Sequence, residues 1–598
     1  MIKTQDRYGN VSTVGLPASL NTVLALSSGS GSLLGTTSFD VGTAAGNGTA
    51  TCTNLQCSDA GTNKQVSASA AGLSNALSAA FNVGGVAPAI GGGAISADTV
   101  GATYTTLSGP TYYEAASGDA GTGTIILNAP TGFIFDTTNT PAPTVLITRL
   151  AGSGANTSNI DGVASGSAVA ITSRTTNQMT LTVTNASSGG VTCSLTWTNV
   201  RVRPLAGTPL ASGNLTKTGA ATLAAVTASS TSLGTLIEVV GTANQLAFTT
   251  QPASATAGSV FGVQPVVRSR DQFGNDSTNG LPASQTVTLT LASGTGPLLG
   301  TTNLDIGTGA GNGVVSWSDL EIDSAGTNKQ LSATASGFTN GLSSFFSVSP
   351  AAASRLTIQS QPSATATAGV IFAQQPIIRV EDSFGNLRTG DNSTVVTASR
   401  NGGSGVLQGS TALNAVNGLV SFTNLSHLVA TTITIDFASA GVAGTTSANV
   451  AVSPAPASKL TLLTQPSSTA MAGVMFGQQP VIRIEDPYGN LRASDNSTVV
   501  TASRNGGSGI LQGATSLGAV NGVVSFTNLS HNVATTISID FANSGLAAAT
   551  SASVVVSPGA LSKLQLLAPG ETAAPGTASG KSGTPNSQSA GIAFSVTI

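Results

Sequence analysis

The chain has 598 residues, of which 8% are charged and 4% aromatic, with 72 glycines and a formal net charge of -3. That length exceeds what one hydrophobic core organises, so several domains are expected, and a charge balance this near neutral carries no basic footprint for nucleic acid. So little charge excludes helices laced by charged surface pairs, whereas abundant small residues suit short strands joined by glycine-rich turns.

The first residues, Met1-Ile2-Lys3-Thr4-Gln5-Asp6, show no apolar signal-peptide segment, so any export address is expected outside this chain. They lead into Asp6-Arg7-Tyr8-Gly9-Asn10, which recurs as Asp271-Gln272-Phe273-Gly274-Asn275, Asp382-Ser383-Phe384-Gly385-Asn386 and Asp486-Pro487-Tyr488-Gly489-Asn490. One module is therefore written at least four times. Gly and Asn are the residues that most readily take positive φ, and the Asp carboxylate can close an Asx-turn on amides two or more residues ahead. The aromatic can fold back as a lid over the sheet edge. These features predict a structural hairpin-type turn. Calcium is the one cofactor these Asp residues suggest, yet each turn offers one or two carboxylates and lacks the dense oxygen spacing of a calcium loop.

Residues 1–83 align without a gap with 266–348, Asp6 on Asp271 and Phe81 on Phe346. The later copy starts earlier, with Gln245-Leu246-Ala247-Phe248, so the first sandwich is expected to lack its opening strands. Cys52 falls at the position of Trp317, Phe422 and Phe526, and Cys57 at that of Ile322. Both read as inward-facing thiols, with a Cys52 to Cys57 disulfide as the alternative. Cys193 has no partner in its own segment.

Residues 84–97 read as a glycine-rich linker. The segment 98–242 has a different pattern, with strands predicted at Thr124–Leu127, Thr144–Ile147, Met179–Val183, Ser194–Trp197 and Leu236–Val239, and reads as a divergent β-sandwich. Tyr104, Tyr112 and Tyr113 cluster there. They are either a platform for sugar rings or packing at a domain edge.

Three modules follow, over 244–350, 354–454 and 458–558. In the last, strands are predicted at Leu460–Thr464, Val481–Glu485, Thr498–Ala502, Ile510–Gln512, Val523–Leu529, Thr535–Phe541 and Ser553–Val556. Seven short strands in a module of this size suit a sandwich. Asp382 to Asp486, His427 to His531 and Pro454 to Pro558 share one domain-sized spacing, too long for a solenoid repeat. The Pro-bearing junctions Ser453–Ser458 and Ser557–Ala560 favour a semi-rigid array.

Each module opens with a strand ending in Gln-Pro (Gln251-Pro252, Gln361-Pro362, Gln465-Pro466), followed by Ala-Gly, the Asp-x-aromatic-Gly-Asn turn and a closing Val-Ser-Pro. This ordered set resembles bacterial immunoglobulin-like repeats of the invasin and intimin type, over all but residues 98–242. The resemblance implies an all-β fold of tandem immunoglobulin-like sandwiches, an extracellular or cell-surface location, and host or extracellular-matrix glycans or proteins as partners.

Residues 561–598 read as the first strands of a further module: Lys563–Leu567 opens it, and Ala590–Ile598 is the strand that should enter the next turn. A fragment of a longer repetitive protein accounts for this, and head-to-tail strand complementation between copies is the alternative.

No chemistry emerges. His427 and His531 occupy one repeat position a domain apart and cannot share a metal. Glu381-Asp382 and Glu485-Asp486 point to opposite faces of a strand, and no nucleophile elbow or phosphate loop occurs. Apolar runs are all broken by Gly, Ser or Thr before the ~20 residues that a spanning helix needs. The expectation is a non-enzymatic stalk that spaces a functional tip from the cell. The rival readings are an accessory carbohydrate-binding region of a polysaccharide-degrading enzyme and a self-assembling fibre.

Overall fold

The computed structural model describes residues 1–598. Regular structure is β throughout, apart from three single-turn 3-10 segments between Ala97 and Gly162. No helix is long and apolar enough to cross a membrane.

Period-two alternation builds the sandwiches. In Ile377–Glu381, Ile378 and Val380 are buried while Ile377 and Arg379 face outward, and in Val395–Arg400 the inward residues are Val396 and Ala398. Sheet strands must bury one face and hydrate the other, so this alternation sets register as well as strand identity. The sheet of the 354–454 module runs 412–414, 395–400, 435–439, 442–446, 355–360, 377–381, 419–421, and the 458–558 module repeats that order strand for strand. A second sheet closes each sandwich: Thr365–Thr367 pairs in parallel with Val450–Ser453, and Thr469–Met471 with Val554–Ser557.

Four separate cores result. One lies within 244–350 around Trp317 and Phe346, one runs from Leu356 to Ala455 and one lies within 458–558. In the last two a tilted pair sits at the centre, Phe422 with Phe437 and Phe526 with Phe541, each with ring centroids 5.5 Å apart. The largest core belongs to the divergent sandwich, where Trp197, Phe135, Ile125 and Leu127 pack between a five-stranded and a four-stranded sheet.

The predicted linker is not a tether. Gly85–Ala87 pairs antiparallel with Thr111–Tyr113, and Ile95–Ser96 pairs parallel with Ile237–Val239 territory through Glu238 and Val239. Glycine richness there serves close approach: a Cβ at Gly92 would lie 2.4 Å from the Leu236 side chain. Within the last module, the strand predicted over 523–529 stops at Ser525, and Ser530–His531 crosses to pair with Leu511–Gln512. The 535–541 strand is likewise split, Thr536–Ile537 joining one sheet and Ile539–Asn543 the other. Such sheet switching leaves hydrophobicity unchanged, so periodicity does not report it.

Residues 1–83 form a sheet of 38–40, 21–28, 61–70 and 76–77, with Phe81–Val83 also on 61–70. Only Leu24, Val41 and Ala60 are buried apolar residues there.

Candidate functional site, a joint between successive sandwiches

The Asp-x-aromatic-Gly-Asn turn is built from its Asp outward. In the last module, Asp486 Oδ1 accepts from the Tyr488 and Asn490 amides, each at 2.9 Å, and Oδ2 accepts from Asn490 Nδ2 at 2.7 Å. Gly489 takes φ +89°, a region that costs a side chain but not glycine. The same bonds recur around Asp382, Asp271 and Asp6. With both Asp oxygens already taken by N-H donors, the turn offers little to a cation that needs six or more oxygens.

The turn reaches across to the preceding sandwich. Asn490 Nδ2 donates to the Leu428 carbonyl at 2.7 Å, and its Oδ1 accepts from the Ala430 amide at 2.8 Å. The carboxamide therefore pairs with residues two apart as a strand peptide would. Asn386 does the same to Asp323 O and Ala325 N, at 2.7 and 2.9 Å. Asn275 donates to Gly207 O at 2.7 Å and stops there, because the residue two further on is Pro209, which has no N-H.

The remaining lone pair of each Asp holds the connecting segment: Asp486 Oδ2 accepts from Ala455 N, Asp382 Oδ2 from Ala351 N and Asp271 Oδ2 from Gly241 N, at 2.9, 2.9 and 2.8 Å. Burial pushes the pKa of Asp382 and Asp486 up, but the side-chain and backbone donors of Asn386 and Asn490 outweigh it, and both carboxyls stay below their usual range. Asp271 follows the same balance through Asn275 and Gly241.

The aromatic seats on a glycine. A Cβ at Gly369 would fall 1.9 Å from Tyr488 Oη, one at Gly258 2.1 Å from Phe384 Cζ, and one at Gly207 2.1 Å from Phe273 Cγ. Gly258 and Gly369 are the glycines of the recurrent Ala-Gly, so that dipeptide is the seat for the next module's aromatic. The aromatic, expected as a lid over the sheet edge, instead packs on the preceding sandwich, and the Ala-Gly carries no such role in the local pattern of either module. Tyr8 has no such seat and stands 74% exposed.

The other candidates are dispersed. Tyr112 lies in the divergent core with its hydroxyl on the Ala224 carbonyl at 3.1 Å, and burial raises its pKa far above the usual value. Its neighbour Tyr113 points to the opposite face, and the Arg203 guanidinium covers the Tyr104 ring at 4.4 Å. The three form no shared platform. His427 is buried with Nε2 on the Ser404 carbonyl at 2.8 Å, and His531 is buried with Nδ1 against Val533. All three cysteines are free, Cys52 and Cys57 half-buried and Cys193 buried. A surface groove along Thr394, Val395, Thr397 and Ala438 to Ala440 is lined by no charged residue.

Fold and joint together define a protein of immunoglobulin-like β-sandwiches placed in series. No protein-family model matches the chain, and no curated protein does. Among solved structures it is similar to the Escherichia coli adhesin FdeC, at 16% identity and TM-score 0.26, over 53% of this chain and 98% of that one. It is similar to invasin, a bacterial integrin-binding protein, at 15% and 0.23, over 55% of this chain and 62% of invasin. The D0-D1 region of intimin matches at 14% and 0.14, over 35% of this chain and 97% of that one. A β-glycosidase from Bacteroides vulgatus matches at 13% and 0.15 over 25% of its own length.

Proposed function

We propose that this chain is a stalk segment of a secreted or surface-anchored bacterial protein, spacing a binding region from the cell and doing no catalysis itself. The observation that carries this reading is the thrice-used joint: an aromatic on a glycine, an Asn carboxamide on a backbone peptide, and an Asp holding the connecting segment. A short linker alone leaves neighbouring sandwiches free to swing. Contacts on both sides of the linker restrict that swing, so reach adds up module by module.

Small-angle X-ray scattering tests the reading. An elongated particle with a narrow distribution of inter-module distances is expected. A compact particle, or a freely jointed ensemble, would overturn it.

A further inference from the structure

The joint between the divergent sandwich and the 244–350 module holds a carboxyl group that its two later counterparts lack. Three places before the amide that the turn Asp accepts stands Glu238 at this joint (amide Gly241), Val348 at the next (Ala351) and Val452 at the last (Ala455). All three sit in a parallel strand pair beside the joint, opposite Ile95, Ala255 and Ala366. All three point inward, with exposures of 3%, 2% and 6%. A place that the repeat fills with valine is therefore filled here by an acid.

That acid is only half satisfied. Glu238 Oε2 accepts from the Ala211 amide at 2.8 Å, and Oε1 is buried with no hydrogen-bond partner. Ionised, the group leaves a desolvated charge on that oxygen, and a proton removes it. The titratable groups facing Glu238 are acids too. Asp271 enters fully buried from the turn of the following module and accepts from the Gly241 amide. Asp98 enters from the 3-10 segment Ala97–Thr99, its Oδ2 accepting from the Thr242 amide and hydroxyl at 2.7 and 2.8 Å. The strands that flank Thr235–Val239, Ile95–Ser96 and Ser212–Asn214, bring no titratable side chain, and none of the three carboxyls pairs with Lys or Arg. Burial pushes the Glu238 carboxyl above its usual range; the Ala211 amide pulls it back and Asp271 adds to the rise.

We infer that a proton on Glu238 tightens this joint, so that it closes as the medium turns from neutral to mildly acidic and loosens on neutralisation, while the joint at Val348 is indifferent over that range. A carboxyl raised in the closed joint gives stabilisation that is complete below its value in the open joint, about 4.3, and is lost as pH rises through the raised value. Asp271 moves the other way and stays ionised there, so the turn keeps its own bonds while Glu238 titrates. The dependence follows from the joint and stands whether or not the chain serves as a stalk.

Hydrogen exchange on the full chain, read by mass spectrometry at about pH 4.5 and about pH 7.5 with labelling times scaled to the intrinsic rate, compares residues 236–243 with residues 346–353 in one sample. In the parent the protection of the first region relative to the second is expected to fall roughly tenfold at the higher pH. It is expected to stay level in Glu238→Val, which carries the residue of the later joints, and in Glu238→Gln, which keeps the shape and removes the charge. Should one variant lose protection throughout residues 84–242, the other decides. A parent ratio that does not move with pH, or one that moves equally in the folded variants, overturns the inference.

Discussion

Tyr488 stands so close over Gly369 that a single added carbon there would fall 1.9 Å from the phenol oxygen. The two residues belong to consecutive sandwiches, so glycine is required at that place by a neighbour as well as by its own φ of +78°. Those two demands can be separated. Gly473 occupies the same repeat position in the next sandwich, at φ +83°, with nothing within 4 Å of the missing Cβ. Gly369→Ala and Gly473→Ala therefore share the backbone cost of about 1 kcal/mol, and only the first displaces an aromatic. Scattering is expected to show a broader inter-module distance distribution for Gly369→Ala alone.

Removing the carboxamide is expected to loosen the joint in proportion to the bonds it makes. Asn386→Ala and Asn490→Ala each lose two hydrogen bonds to the preceding sandwich, and Asn275→Ala loses one, since Pro209 has no N-H to donate. At about 1 kcal/mol per bond, limited proteolysis at Pro454–Ser458 should rise for Asn490→Ala, and rise less for Asn275→Ala at the junction near Gly241, between the divergent sandwich and the 244–350 module.

Each core should fail alone. Phe437→Ala removes half of the central ring pair in the 354–454 sandwich and is expected to cost about 3–5 kcal/mol. Hydrogen exchange mapped by mass spectrometry should show lost protection confined to residues 354–454, with the twin pair Phe526 and Phe541 unaffected.

Acid should act on the joints before the cores. The carboxyls of Asp271, Asp382 and Asp486 are held below their ordinary value by amide donors. A depressed folded-state pKa gives stabilisation that is complete above the unfolded value of about 3.9 and is lost as pH falls through the folded one. Scattering from pH 6 to pH 2.5 is expected to show a stable extended particle down to about pH 4 and growing flexibility below it.

Much of the fold is legible in the residues because strand alternation is local. Val481-Ile482-Arg483-Ile484-Glu485 announces a half-buried strand, and the Asp486 turn follows from bonds within five residues. The joint is less legible because its halves lie far apart in sequence: nothing near Asn490 points to Leu428, nor anything near Tyr488 to Gly369. The available signal was the Ala-Gly that precedes each aromatic turn by one module. Glycine richness misled at 84–97, where it marks close packing of strands instead of a tether. Of the two readings of the tyrosine cluster, Tyr112 takes packing, since adjacent residues on a strand face opposite ways and one of the pair enters the core.

Single-molecule pulling on the intact chain tests the serial arrangement most directly. Independent sandwiches predict a train of separate force peaks, each releasing on the order of 300 Å of polypeptide, with the Phe437→Ala variant weakening one peak and leaving the others unchanged. One cooperative rupture, or a featureless extension, would contradict it.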